Sequence, residues 1–165
     1  DGETSDWQPC ELIRRINRTL CSLTSAEQFM SVVAGVIDQR EHTFTYSNAG
    51  HPPPWLLRRG ERKSLKSHGM LCGVLAQAVY EQSVVTIEPG DLLVFFSDGV
   101  SEALSPQRQL FRAEGVLDAL GNGTWESADA AANAIWQRMT EHVGYSDPTD
   151  DQTLLVISVR ELTVN

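Results

Sequence analysis

Apolar residues recur at three- and four-residue spacing through Leu12, Ile13, Ile16, Leu20 and Leu23. That is the period of a helix burying one stripe. Pro9 suits its first turn, where the fixed φ and missing N–H cost nothing. A helix is therefore predicted from Pro9, after the polar opening Asp1–Asp6. The period then changes. Phe29–Asp38 is rich in apolar and β-branched residues, Gln39–His42 is a polar turn, and Thr43–Asn48 alternates like a half-buried strand. Together they predict a hairpin. Three consecutive prolines, Pro52 to Pro54, make a stiff loop of Ala49-Gly50-His51-Pro52-Pro53-Pro54, because proline has no place in a helix interior or central strand. Trp55–Arg58 reads as a short strand, Gly60 as a turn and Arg62–Lys66 as a charged edge strand.

His68–Ala76 carries two glycines among apolar residues and reads as a buried loop, followed by a strand at Tyr80–Ile87. Glu88-Pro89-Gly90-Asp91 is a turn by its Pro–Gly pair. Leu92–Phe96 is continuously apolar, the pattern of a central strand buried on both faces. It stops at Ser97-Asp98-Gly99. Leu110–Leu120 reads as a helix stopped by Gly121-Asn122-Gly123. Ser127 is a natural N-cap for a second helix whose stripe is Ala128, Ala131, Ile135, Met139 and His142. A polar stretch, Tyr145–Thr149 with Pro148, leads to a last strand at Leu154–Val159. Clustered strands followed by helices predict an α+β fold rather than a parallel βαβ sheet.

A length of 165 residues predicts one domain. The net charge of −9 opposes binding to a phosphate backbone or an anionic membrane surface, so neither nucleic acid nor a bilayer is an expected partner. No apolar run is long enough to span a membrane, and no signal peptide is recognised. Cys10, Cys21 and Cys72 are an odd set without a Cys-x-x-Cys pair. They predict neither a disulfide framework nor a zinc site, and fit a reducing cytoplasm. His42, His51, His68 and His142 lack ligand spacing.

Two places can carry chemistry. Asp98 follows Leu92–Phe96 and precedes Gly99; Asp150 and Asp151 precede Leu154–Val159. Carboxylates held at the ends of rigid strands suit hard cations such as Mg²⁺ and Mn²⁺, which take oxygen ligands and retain water. Gly99 lets the backbone turn beside a ligand without a Cβ in the way. The spacing alone leaves a second reading open, in which each aspartate is an ordinary turn residue. Glu102 could support the same site. His51 is a loop-positioning residue rather than a general acid. Arg58, Arg59, Arg62 and Lys63 form a small basic cluster. Neither a nucleophile elbow nor a glycine-rich phosphate loop is present.

Several blocks then combine: Pro9 with Leu12, Ile13 and Asn17; Phe29-Met30 opening Val32–Asp38; Tyr46-Ser47-Asn48-Ala49-Gly50-His51-Pro52-Pro53-Pro54; Glu88-Pro89-Gly90-Asp91-Leu92-Leu93; Phe96-Ser97-Asp98-Gly99-Val100-Ser101-Glu102-Ala103; and Asp150-Asp151-Gln152-Thr153-Leu154-Leu155-Val156. In this order and spacing, over nearly the whole chain, they resemble the bacterial sporulation-type (SpoIIE-like) branch of the metal-dependent PPM, or type 2C, protein phosphatases. The resemblance implies two antiparallel sheets sandwiched by helices. It implies a cytoplasmic phosphoserine/phosphothreonine phosphatase of bacterial signalling, acting on a phosphorylated anti-sigma-factor antagonist. Two Mn²⁺ or Mg²⁺ ions would activate a bridging water, with no catalytic side chain beyond that water. Asp98 and Asp150 fall on the family's metal ligands. Asp151 and Gly99 fall beside them, in an outer or additional ligand role.

Three departures qualify the resemblance. The family's Gly-Asp-x-x-Gly-His-Gly-like motif, whose aspartate bridges both metals, has no match here, and Asp1 does not take its role. The chain corresponds to the C-terminal two-thirds of a single family domain, so the expectation is a domain incomplete at its N-terminus, with an upstream sensory or receiver domain. The family's Phe-Gly pair reads Phe111-Arg112. A catalytically silent, partner-binding relative of these phosphatases is the alternative.

Overall fold

In the computed structural model, residues 7–23, 28–122, 125–145 and 150–161 are described. Asp1–Asp6, Gly123 and most of the Tyr145–Thr149 stretch, Pro148 included, lie outside them. The elements are α1 (Pro9–Leu23), β1 (Val32–Asp38), β2 (Thr43–Ala49), β3 (Trp55–Arg58), β4 (Glu61–Ser64), β5 (Ser83–Thr86), β6 (Leu92–Phe96), α2 (Asp98–Ser101), α3 (Arg112–Leu120), α4 (Ala128–Val143) and β7 (Leu154–Ser158). The class is α+β with two antiparallel sheets, as expected. Packing divides the chain into two units, Asp1–His51 with Lys66–Ile87, and Pro52–Leu65 with Glu88–Asn165.

The first unit is α1 on a sheet of order β1-β2-β5. The predicted hairpin forms with Val32 opposite Ala49 and Asp38 opposite Thr43. The Asp38 carboxylate accepts the amides of Arg40 and Glu41 and closes its turn. The buried stripe of α1 differs from the predicted one. Cys10, Ile13 and Asn17 are buried, whereas Leu23 is 79% exposed. The reason is the distant His68–Ala76 loop. Asn17 accepts the Gly73 amide at 2.9 Å and donates to the Leu75 carbonyl at 2.9 Å. One buried amide thus satisfies backbone groups that an apolar side chain would leave unpaired. The His68–Ala76 loop is buried at Cys72 and Gly73 but exposes Met70, Val74 and Leu75. All three cysteines are free thiols, Cys10 and Cys72 buried.

His68 organises the end of β2. Its Nδ1 accepts the Asn48 amide at 3.2 Å, so Nε2 carries the ring proton and donates to Ser83 Oγ at 2.8 Å. A base that donates to a serine cannot also deprotonate it, which excludes a Ser83–His68 nucleophile pair.

The second unit is a sheet of order β4-β3-β6-β7 with α3 and α4 packed on it. β6 is central, as its apolar run predicts. Leu92, Val94 and Phe96 face Val116, Leu120, Ile135 and Met139, and Leu93 is fully buried as well. β4 is an exposed edge strand. Ser127 caps α4 by accepting the Ala130 amide at 3.0 Å, and Ala131, Ile135 and Met139 are its buried stripe. α2 was not visible in the sequence, because four residues are too few to show a period. α3 starts two residues later than its apolar pattern suggests, because Leu104 and Leu110 pair across a short hairpin.

The turn before β6 is locked by charge. Asp91 is 1% exposed and receives Arg58 through Nε at 2.9 Å and Nη2 at 2.7 Å. Its other partner is the Glu88 amide at 2.8 Å. The Arg58 end of the predicted basic cluster is therefore structural.

Two measurements check this scaffold. Asp91→Ala leaves a partly buried guanidinium without its fork partner and should cost about 3 kcal/mol in urea unfolding. A loss below about 1 kcal/mol would mean the pair is solvent-screened. Burial lowers the His68 pKa; Glu81 opposes that lowering and Lys66 adds weakly to it. The unfolded chain therefore binds a proton that the folded one refuses. Stability should be full above about pH 6.5 and fall as the pH is lowered from there, and His68→Asn should flatten that slope.

Candidate functional site

Phe96 and Leu154 are the last paired residues of β6 and β7, so the two aspartate-bearing segments leave and enter the same end of the sheet. The pairing continues beyond the strands through one hydroxyl. The Ser97 amide donates to the Thr153 carbonyl at 3.0 Å. Ser97 Oγ accepts the Thr153 amide at 2.9 Å and donates to the Asp151 carbonyl at 3.1 Å. Gln152 adds a bond from Nε2 to the Gly99 carbonyl at 3.3 Å. Asp98 and Asp150, remote in sequence, are thereby carried on two segments clasped together.

Gly99 is required by space. A Cβ there would overlap the Asp151 carbonyl oxygen and come within 2.9 Å of its carbon. Its backbone is not left-handed, so its role is close approach rather than the sharp turn expected.

The side chains of Asp98, Asp150 and Asp151 are exposed. Asp98 Oδ1 accepts the Gly99 amide at 3.0 Å, and Asp150 Oδ1 accepts the Asp151 amide at 2.7 Å. Each of these two carboxylates is oriented through one oxygen, while the other makes no hydrogen bond among the described residues. The donors are hard oxygens open to water, the chemistry Mg²⁺ and Mn²⁺ select. Among the described residues no group of three His, Cys, Asp or Glu side chains assembles as a metal site. Exposed carboxylate oxygens are the donors that a hydrated divalent cation takes when it keeps several waters. Glu102 is exposed and caps α2 through its backbone.

His51 lies half-buried on the loop after β2. Asn48 braces that loop by accepting the His51 amide at 2.9 Å and donating to the His51 carbonyl at 3.0 Å. The residues that sequence reasoning passed over are Ser97, Thr153, Gln152 and Asn48. Ser97 was the most readable, since a serine beside Asp-Gly often bonds nearby backbone.

The family described as Stage II sporulation protein E (SpoIIE) matches residues 3–160, and the chain belongs to it. The chain is 29% identical over 96 residues to the phosphoserine phosphatase RsbU of Bacillus subtilis, covering 57% of this chain and 29% of RsbU. It spans less than a third of the length of the curated relatives it matches. Its fold superimposes on the SiaA PP2C domain of Pseudomonas aeruginosa with a TM-score of 0.81 at 19% identity, over 92% of this chain and 61% of that one. The manganese-presoaked phosphatase domain of SpoIIE from Bacillus subtilis gives a TM-score of 0.64 at 14% identity, over 99% and 77% of the two chains. The fold is that of the PP2C phosphatase domains. No helix among the described residues is long and apolar enough to cross a membrane.

Gly99→Ala separates space from propensity. In a helix alanine gains about 1 kcal/mol over glycine. Here the added methyl must push the Asp151 carbonyl aside, and overpacking of this kind costs about 1–3 kcal/mol. A lowered urea midpoint is expected; a raised one would show that the two segments can part freely.

Proposed function

We propose that this chain forms part of one metal-dependent protein phosphatase domain that removes phosphate from phosphoserine or phosphothreonine in bacterial signalling. The observation that carries the reading is the clasp that holds Asp98 and Asp150 on adjoining segments at one end of a rigid sheet. Membership of the SpoIIE family and the likeness to a phosphoserine phosphatase support it.

In this reading Asp98 and Asp150 hold Mn²⁺ or Mg²⁺, two ions in the complete domain. When bound, the metal supplies Lewis acidity and a hydroxide-like water at neutral pH. The protein's contribution is positional. Asp98 and Asp150 each keep one carboxylate oxygen on a backbone amide, so their orientation is set before any ligand arrives. That preorganisation lowers the cost of gathering charge where the phosphate oxygens must lie. Gly99 admits the Asp151 carbonyl, and Asp151 acts from behind the ligands through its backbone. His51 positions its loop.

The substrate class is a phosphorylated protein of the anti-sigma-factor antagonist type, in the cytoplasm, with an upstream sensory or receiver domain supplying the signal. RsbU is the relative whose name matches this chemistry.

Kinetics of the full-length protein across a Mn²⁺ series test the assignment. Asp98→Asn should abolish metal-dependent hydrolysis with the fold intact. Asp150→Asn should be similarly severe. Asp151→Asn keeps the carbonyl of the clasp and should cost only about 10–100-fold, with better rescue by added Mn²⁺. Asp151 proving the more sensitive of the pair would overturn the assignment, and full activity in Asp98→Asn would remove that residue from the site.

A further inference from the structure

Ser97 stands where β6 becomes α2, and two elements compete for its backbone. The β6–β7 register pairs Phe96 with Leu154, so the next pair in line is Ser97 and Thr153. Half of that pair forms in the ordinary way: the Ser97 amide donates to the Thr153 carbonyl at 3.0 Å. A hydrogen-bonded antiparallel pair exchanges two such bonds. The second would need the Ser97 carbonyl, and α2 has taken it. The Val100 amide donates to that carbonyl at 3.1 Å and the Ser101 amide at 3.4 Å. The Thr153 amide turns instead to Ser97 Oγ, at 2.9 Å. The hydroxyl thus replaces, in the ladder, the carbonyl that the helix removes. It also donates to the Asp151 carbonyl at 3.1 Å, one residue from Asp150.

A serine at the head of a helix ordinarily caps it by accepting an amide of the first turn. Ser97 holds that place with extended backbone, φ −74° and ψ 166°, yet its side chain makes no capping bond. The Gly99 amide goes to Asp98 Oδ1 instead. The usual local use of the serine hydroxyl is given up for partners 54 and 56 residues away.

The consequence falls on the two aspartates. β6 can become a helix one residue after Phe96, so Asp98 leaves the sheet while the Asp150–Thr153 segment stays in register beside it. Without the hydroxyl, the Thr153 amide and the Asp151 carbonyl each lose a partner where the strands part. Past Phe96, the hydrogen bonds then left between the segments, among the described residues, are the Ser97 amide bond and the Gln152–Gly99 bond of 3.3 Å. Carboxylates on segments that can part must be gathered anew at each binding event, which weakens the grip on a shared cation.

We infer that the Ser97 hydroxyl is a positioning group for Asp98 and Asp150 and sets how tightly they hold a divalent cation. This rests on the metal-dependent phosphatase reading above. Two measurements on the full-length protein test it: calorimetric titration with Mn²⁺ alone, and hydrolysis of para-nitrophenyl phosphate across a Mn²⁺ series. Ser97→Thr keeps the hydroxyl, whereas Ser97→Val has nearly the shape of threonine without it. Ser97→Val and Ser97→Ala should each raise the Mn²⁺ Kd about 10–100-fold, the range for groups that orient metal ligands. Ser97→Thr should stay close to the wild type. At saturating Mn²⁺ the turnover of Ser97→Val and Ser97→Ala should fall far less than their affinity does. Circular dichroism without metal should show all three variants folded. Equal Kd values for Ser97→Thr and Ser97→Val, or wild-type affinity in Ser97→Val and Ser97→Ala, overturn the positioning role alone. Failure of both hydroxyl-free variants to fold also overturns it, because the hydroxyl would then be a requirement of the sheet. A wild type that does not bind Mn²⁺ overturns the metal reading and this role with it.

Discussion

The carbonyl of Asp151 occupies the space in which any side chain at position 99 would have to lie. Everything proposed for the site depends on that approach. It brings the exit of β6 against the entry of β7, and Ser97 then bonds both Asp151 and Thr153. The three bonds of Ser97 contribute about 1 kcal/mol each. The clasp carries Asp98 and Asp150 on adjoining segments at one end of the sheet.

The same ladder is held at its other end. Gly90 and Val159 exchange a backbone bond of 2.9 Å, as do Val159 and Asp91, and Arg58 grips the Asp91 carboxylate from β3. β6 is thus anchored before Leu92 and after Phe96, with its side chains buried between. A strand fixed at both ends transmits little slack to Asp98, and tight placement of a few oxygens is what a hard cation and a phosphate transition state demand.

Membership of the SpoIIE family and the PP2C-type fold agree with this arrangement. The fold makes a phosphatase possible, and the site argues for it, since one fold can carry many chemistries.

The amino-acid sequence by itself determined the elements whose signal is local. The three- and four-residue period gave α1 and α4, alternation gave the β1–β2 hairpin, and the apolar run of Leu92–Phe96 announced a central strand. It also nominated Asp98 and Asp150, because an acidic residue beside an apolar strand is visible in one dimension. It placed Leu23 in the buried stripe of α1, where the structure buries Asn17 instead. Position 17 is decided by the backbone of a loop more than fifty residues away, which no periodicity contains. The clasp was hidden for the same reason: Ser97 and Gly99 take their roles from Asp151 and Thr153 across the sheet. α2 was too short to show a period. Local periodicity follows from the geometry of one chain segment in water. Close approach, left-handed backbone and a hydrogen bond across the sheet arise only when remote segments share the same space.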